Sequence, residues 1–529
     1  MPALFHELIY QSANQNANKT ALIDRKRHLS YANLATATQS FAGALHKLGL
    51  NRGERAAIYL EKRLETVIAL FGTSAAGGAF VPVNPLLKAE QVAYILNDCN
   101  VRILVTSVAR LDLLRAVLPQ CRDLHTIVIV DETQITASIT GLNTVSWQQT
   151  QQSSSNSISL PRCIDSDMAA ILYTSGSTGK PKGVVLSHRN LVTGAKSVAQ
   201  YLNNRSDDRI LAVLPLSFDY GLSQLNTAFY VGATAVLMNY LMPRDILSII
   251  KREHITGLAA VPPLWTQLAP LDWQGVQTLR YITNSGGAMP RTTLAQLRAA
   301  LPTTKIFLMY GLTEAFRSTY LPPEEVDKRP DSMGKAIPNA EVMVLREDGS
   351  HCAPGEPGEL VHRGSLVSLG YWNAPDKTAT RFRPLTPRQP GLTIPELAVW
   401  SGDTVRMDEE GYLYFIGRRD DMIKTSGYRV SPTEIEEVIY ATETVSEVAA
   451  FGVPHPTLDQ IIVIVAVPKA GIELEKDMLA AACKKHLPAF MQPGLIELRQ
   501  NSLPRNPNGK IDRKNIANEF QHTFQAKES

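Results

Sequence analysis

The sequence predicts an α/β fold that ends in a separate α+β unit. Three observations predict it. Short apolar runs alternate with helical patterns up to Tyr310, the texture turns to short glycine-punctuated strands near Ala340, and strong helix-capping chemistry appears at Ser431.

The alternation begins near Leu29 and runs to about Val130. SYANLATATQSFAGALHKLGL has apolar residues at helical spacing, with Ser30 as its N-cap. ERAAIYL and VRILVT read as short buried strands, which suits a parallel sheet with flanking helices. Val67 to Val83 is uncharged, yet it is shorter than the ~20 residues of a membrane helix and is broken by Gly72, Gly77, Gly78 and Pro82. It reads as a buried helix followed by a strand. Gln148 to Ser157 is polar and of low complexity, and is expected to be a surface loop. A second alternating stretch follows, with ILAVLPL, ATAVLM, GLAAVP, LRYITNS and KIFLMY as strands and TTLAQLRAAL as a helix.

Beyond Ala340, EVMVLREDGS, GELVHRG and GYLYFIGR are short strands of a β-rich subdomain. Then Ser431 is placed as an N-cap, Pro432 at the first helical position and Glu434 as the partner of a capping box. The strand IIVIVAVP and a further helix complete an α+β domain, with a hinge near Asp420.

Bulk composition narrows the function classes. In 529 residues, 44% are hydrophobic and 19% charged, as in a soluble protein with a large core. A net charge of +3, with no dense basic stretch, gives no support to nucleic-acid binding. Cys99, Cys121, Cys163, Cys352 and Cys483 are scattered and odd in number, which argues against a disulfide framework or zinc site. MPALFHELIYQSANQ has no basic segment followed by an apolar one, so a cytoplasmic protein without a membrane span is expected.

The chemistry is concentrated first in YTSGSTGKPKGV, Tyr173 to Val184. Glycines let backbone N–H groups approach an anion, hydroxyls donate hydrogen bonds, and Lys180 and Lys182 neutralise charge. The loop is not of the Walker type: Gly176 and Gly179 stand too close, and Pro181 follows Lys180 where Ser or Thr is needed. The bland alternative is a flexible Gly/Ser turn, which such an ordered, lysine-terminated run disfavours.

This stretch resembles the glycine-rich loop of the adenylate-forming superfamily, which comprises acyl-CoA synthetases, adenylation domains of peptide synthetases, and luciferases. The resemblance covers essentially the whole chain, with the motifs in the family's order. It implies two α/β subdomains and a β-rich one over residues 1–417, then a small mobile domain over 418–529. It implies ATP and Mg²⁺ as cofactors. Thr174, Ser175, Gly176, Ser177, Thr178, Gly179 and Lys182 would grip the pyrophosphate end of ATP.

The remaining motifs take their roles from the same resemblance. YGLTE would place Tyr310 and Gly311 at the adenine, Thr313 at the α-phosphate and Glu314 on Mg²⁺. SGGA would line the acyl and adenine pockets through Ser285, Gly286 and Gly287. In the SGD context, Asp403 would accept the ribose hydroxyls, with Arg418 beside it. Asp420 falls at the family's hinge, Gly427 would border the pantetheine channel, and Arg429 would contact phosphate or thiol-carrier groups. In PRNPNGKIDR, Lys510 would bring a positive charge to the carboxylate and α-phosphate as they meet.

Specificity is read from PLSFDYGLS. Many acyl-CoA synthetases have histidine where this chain has Phe218, and the Phe-Asp pair looks more like amino-acid adenylation domains. Asp219 is then the anchor for a substrate ammonium, since a buried carboxylate needs a cationic partner. The competing reading makes Asp219 the cap of a helix starting at Tyr220. The anchor reading implies a small carboxylic-acid substrate such as L-proline, loaded onto a peptidyl or acyl carrier protein. CoA acting with a fatty or aryl acid is the alternative. A luciferase-like oxidoreductase shares the motifs but has no substrate feature in its favour. A catalytically dead binding protein is at odds with the joint presence of Lys510, Glu314 and Asp403.

Overall fold

Aliphatic and β-branched runs form the strands, and amphipathic segments pack over them. The computed structural model describes residues 2–131, 139, 141–152, 160–174, 181–385, 391, 393–418, 421–425, 428–455, 459–506 and 509–524. Ser175, Gly176, Ser177, Thr178, Gly179, Lys180, Asp420, Gly427 and the side chain of Arg429 lie outside the described residues.

The first sheet has seven strands, in the order Asn143–Ser146, Thr126–Ile129, Val101–Thr106, Arg55–Tyr59, Ala79–Pro82, Met168–Thr174 and Lys182–Ser187. All neighbours are parallel except the last two strands, which form an antiparallel pair with Thr174 opposite Lys182. Ser30 caps helix Tyr31–Lys47 as expected, its hydroxyl accepting the Asn33 N–H at 3.2 Å. Every residue of helix Leu64–Ala75 is buried, and the strand after it is buried too, so the uncharged run from Val67 is core.

The second sheet runs through strands Thr234–Leu237, Arg209–Ala212, Gly257–Ala260, Tyr281–Asn284 and Lys305–Tyr310, all parallel. It then continues antiparallel through Thr319–Leu321 and Ser332–Ala336 into Leu413–Arg418, Leu397–Met407, Gly358–Gly364 and Ala340–Leu345. The glycine-punctuated strands are thus joined by hydrogen bonds to the parallel core. PLSFD follows the end of the strand at Ala212, SGGA the end at Asn284, and YGLTE the end at Tyr310. Open α/β sheets bind ligands at such carboxyl ends.

The C-terminal sheet comprises Tyr428–Val430, Ile423–Thr425, Asp459–Pro468 and Val445–His455, with Leu495–Leu498 beside Asp459–Pro468. Helices Pro432–Tyr440 and Lys476–His486 contribute Ile435, Ile439, Leu479 and Cys483 to one apolar cluster. Helix Arg513–Glu519 contributes Ile516 to another, which also holds Phe451 and Phe520.

Two local expectations are corrected. Of the stretch Gln148–Ser157 expected as loop, residues 148–151 belong to the short helix Trp147–Gln151, and residues 153–157 lie outside the described residues. Ser146 and Gln149 make a capping box there, and this local chemistry outweighs the polar composition. Ser431 does occupy the N-cap position of Pro432–Tyr440, but its hydroxyl donates to the Ile416 carbonyl and makes no side-chain cap, so the box with Glu434 does not form. The hydroxyl ties the helix to strand Leu413–Arg418 instead. All five cysteines are free. Among the described residues no helix is long and apolar enough to cross a membrane.

Candidate active site

Adjacent parallel strands bring three of the motifs to one sheet edge. At the end of Lys305–Tyr310, the Tyr310 hydroxyl donates to Asp403, which is 2% exposed. Burial and the Asp403 charge hold that phenol well above its ordinary pKa. Asp403 pairs in register with Arg418 across two antiparallel strands, and Arg418 Nε donates to Asp403 Oδ1 at 3.1 Å. His362 stacks on Tyr310 with ring centres 6.1 Å apart. Burial pushes its imidazole down to about 3, so the ring is a neutral platform.

Glu314 lies in the short helical turn Thr313–Ala315. Tyr371 Oη donates to Glu314 Oε1 at 2.5 Å, and the Glu314 carbonyl accepts the Ser368 N–H at 2.8 Å. Backbone bonds between residues 369–372 and strand Lys182–Ser187 bring Lys182 alongside, with its ammonium 4.8 Å from the centre of the Tyr371 ring. Burial lowers the Lys182 pKa, and Glu314 raises it. Thr174 pairs with Lys182 across two antiparallel strands, at the ends nearest the glycine-rich segment in sequence. Thr313 is buried.

After Tyr281–Asn284, Ser285 is buried, Gly286 takes φ +87°, and the Gly287 carbonyl accepts the Asn284 amide at 3.0 Å. Lys510 reaches this turn from the C-terminal sheet's side of the molecule. A Cβ on Gly286 would lie 3.3 Å from Lys510 Cε. The Lys510 turn is braced by Asn506, whose side chain accepts the Lys510 N–H at 3.1 Å, and by Arg505, which is paired with Glu447 at 2.5 Å. Burial and Arg418 push the Lys510 ammonium down to about 8, while Asp219 and Asp403 pull it up.

Asp219 is the first residue of helix Asp219–Val231, with Phe218 in the cap position and no side-chain cap. The capping reading for a helix starting at Tyr220 therefore does not hold. The Asp219 carboxylate is 4% exposed, and burial raises its pKa. Arg317, Lys510 and a hydrogen bond from the Tyr220 backbone act the other way. Arg317 Nη1 stands 3.8 Å from Asp219 Oδ2, beyond hydrogen-bond range. The Phe218 ring meets that of Tyr220 edge-on at 6.2 Å.

Electrostatic influence thus links Lys510 to Asp219, Asp403 and Arg418, and Glu314 to Asp219 and Lys182. Sequence reasoning missed Arg317, Tyr371 and His362. Arg317 had a signal, as a lone cation in TEAFRST three residues after Glu314. Tyr371 and His362 are remote in sequence and had none.

Residues 9–372 match the AMP-binding enzyme family, and residues 434–510 match the AMP-binding enzyme C-terminal domain. A long-chain-fatty-acid–CoA ligase of Bacillus subtilis is 27% identical, over 97% of this chain and 94% of that protein. An L-proline–[L-prolyl-carrier protein] ligase of Pseudomonas fluorescens is 30% identical, over 98% of this chain and 99% of its own length. The crystal structure of the anthranilate CoA ligase AuaEII with anthranoyl-AMP superposes with a TM-score of 0.88 at 25% identity, covering 99% of this chain and 98% of that one. The o-succinylbenzoate CoA synthetase of Bacillus subtilis with ATP and magnesium gives 0.81 at 26%, covering 96% and 98%.

Proposed function

Because the chain belongs to the AMP-binding enzyme family, as an ATP- and Mg²⁺-dependent, AMP-forming acid–thiol ligase, we propose that its acid is a small amino acid and its acceptor the pantetheine thiol of a separate carrier protein. One observation carries the reading. Asp219 is a buried carboxylate within the electrostatic influence of Lys510, it takes a hydrogen bond from the Tyr220 backbone, and its ion-pair partner among the described residues, Arg317 at 3.8 Å, stands beyond hydrogen-bond range. A substrate ammonium would satisfy it. The prolyl-carrier-protein relative supports L-proline as the first amino acid to try.

In this reading Tyr310 and the Gly287 backbone flank the adenine, Asp403 accepts the ribose hydroxyls, and Thr313 bonds the α-phosphate. Lys182 and the hydroxyls from Thr174 to Thr178 hold the departing pyrophosphate. Glu314 would hold Mg²⁺, and Tyr371 would orient the Glu314 carboxylate. A single carboxylate suits this ion, which takes most of its ligands from phosphates and water. Among the described residues there is no cluster of three metal-binding side chains. When bound, Mg²⁺ neutralises phosphate charge.

The acid's carboxylate oxygen attacks the α-phosphorus, and the bond to pyrophosphate breaks. Lys510 stabilises the charge where two anions meet. A thiol then loses its proton and attacks the acyl carbon, and AMP leaves. By the family resemblance Asp420 would serve as pivot between residues 1–417 and 418–529, Gly427 would border the thiol channel, and Arg429 would contact phosphate or thiol-carrier groups.

Arg317 favours a second reading, since it already offers Asp219 a countercharge. The acid would then be a fatty or aryl one and the acceptor CoA, as in the relative from Bacillus subtilis. ATP-dependent pyrophosphate release across amino, fatty and aryl acids decides between them. Turnover of a small amino acid, weakened selectively by Asp219→Ala, is the expected result. Turnover only of acids without an amine overturns the anchor.

A further inference from the structure

Arg317 is 3% exposed and carries a permanent charge with five N–H donors. Among the described residues its environment leaves part of that donor set unused. Nη2 is buried without a hydrogen-bond partner among the described residues, and Nη1 is 3.8 Å from Asp219, too far to donate. The guanidinium lies over the Tyr220 ring at 4.6 Å and nearer the edge of contact with Phe316 at 5.8 Å. Rings accept a cation's charge but leave in-plane donors unsatisfied. A buried charged donor without an acceptor is costly unless a ligand completes it.

The chain is held to this arrangement. Phe316 has φ +53°, rare for a bulky residue, and is fully buried. Its ring fills the space a Cβ on Gly194 would occupy, at 2.5 Å. Such strain persists only where surrounding packing over-determines it. Arg317 Nη1 is also 3.8 Å from where a Cβ on Gly311 would be, which puts the guanidinium against the YGLTE motif.

We propose that Arg317 is a specificity-determining residue that binds a second carboxylate on the acid being activated. Resting on the amino-acid reading above, this makes the preferred substrate an acidic amino acid rather than an apolar one such as proline. The charges balance in that case. Asp219 and Arg317 are opposite and adjacent. A substrate bringing an ammonium and a side-chain carboxylate adds one charge of each sign and pairs with both. The reacting carboxylate is left to Lys510. An apolar amino acid would place an ammonium next to Arg317 with nothing for the guanidinium to bind.

The test measures kcat/KM for pyrophosphate release with aspartate, glutamate, alanine and proline, and with succinate against butyrate. It uses the full-length enzyme and the variants Arg317→Met and Arg317→Lys. Sites built to bond a polar group discriminate strongly against analogues lacking it. Wild type is expected to favour aspartate or glutamate over alanine and proline by at least about tenfold. Arg317→Met should collapse that ratio, and Arg317→Lys should restore part of it. Wild type favouring alanine or proline overturns the proposal without recourse to any variant. So does a ratio that Arg317→Met leaves in place. The succinate–butyrate pair separates the two readings. Turnover of succinate well above butyrate, with no amino acid accepted, retains the Arg317 role and removes the Asp219 anchor.

Discussion

Lys510 lies directly over the backbone of Gly286, where an added Cβ would come within 3.3 Å of its Cε and 3.7 Å of its Nζ. Gly286 also takes φ +87°. Alanine at 286 therefore meets two penalties, a left-handed backbone costing roughly 1–2 kcal/mol and a side chain in the lysine's path. Gly286→Ala is expected to lower pyrophosphate release on the order of 10²-fold by misplacing the ammonium, with the circular dichroism spectrum unchanged. Wild-type rates in Gly286→Ala would show that the contact is unimportant for adenylation.

The charge on Lys510 predicts a pH profile. Its ammonium is pushed down to about 8 from an ordinary 10.5. The protonated form is the one suited to two approaching anions, so kcat/KM for adenylation should fall as pH rises past about 8. Bound ATP and acid favour the charged form, so kcat should hold to higher pH. Stability has the opposite slope. The folded state holds this proton less firmly than the unfolded chain, and the penalty for the buried ammonium is relieved as pH climbs from about 8 towards 10.5. Lys510→Ala should abolish the alkaline limb and reduce adenylation by about 10²–10³-fold. An unchanged limb in that variant would assign the titration elsewhere.

Tyr371 gives a prediction for the metal. Its hydroxyl donates to Glu314 at 2.5 Å and fixes the carboxylate's orientation. Orienting partners of metal ligands typically tune affinity by about 10–100-fold. Tyr371→Phe is expected to raise the Mg²⁺ concentration for half-maximal activity within that range, with the KM for the acid little altered. A shift confined to the acid's KM would detach Tyr371 from the metal.

Gly221 sits two residues into the helix that Asp219 begins. A Cβ there would fall 2.0 Å from the Pro215 carbonyl oxygen. Gly221→Ala must push the helix away from the strand end, at about 1–3 kcal/mol for overpacking. A lowered midpoint in urea should accompany an altered ranking of acid substrates, because Asp219 moves with the helix. A stable variant with unaltered ranking would mean that the helix start tolerates displacement.

Much of the fold was legible because apolar period and capping are local. Ser30, the buried run from Val67 and the strands ending at Ala212, Asn284 and Tyr310 were all read from neighbouring residues. One exception came from packing between elements. At Ser431 the hydroxyl donates to the Ile416 carbonyl, a partner set by tertiary packing, and makes no cap to the helix's own N–H groups. The site was legible where residues share a motif, as Tyr310 and Glu314 do. It was illegible where distant strands supply the partner. Tyr371 reaches Glu314 only because residues 369–372 pair with strand Lys182–Ser187, and no spacing in the sequence announces that pairing. Arg317 stood in plain view, but its meaning depends on the distance to Asp219.

The reach of Lys510 onto Gly286 has a kinetic corollary. If residues 418–529 move as proposed, the Lys510 side chain packed against Gly286 acts as a bolt that is home during adenylation and withdrawn for exchange. On that proposal ATP and acid bind before it slides in, and AMP departs after it is withdrawn. Turnover then has a ceiling set by how often the bolt is drawn, whatever the speed of the bonds made behind it. Raising solvent viscosity should slow steady-state turnover more than it slows a single round of adenylate formation.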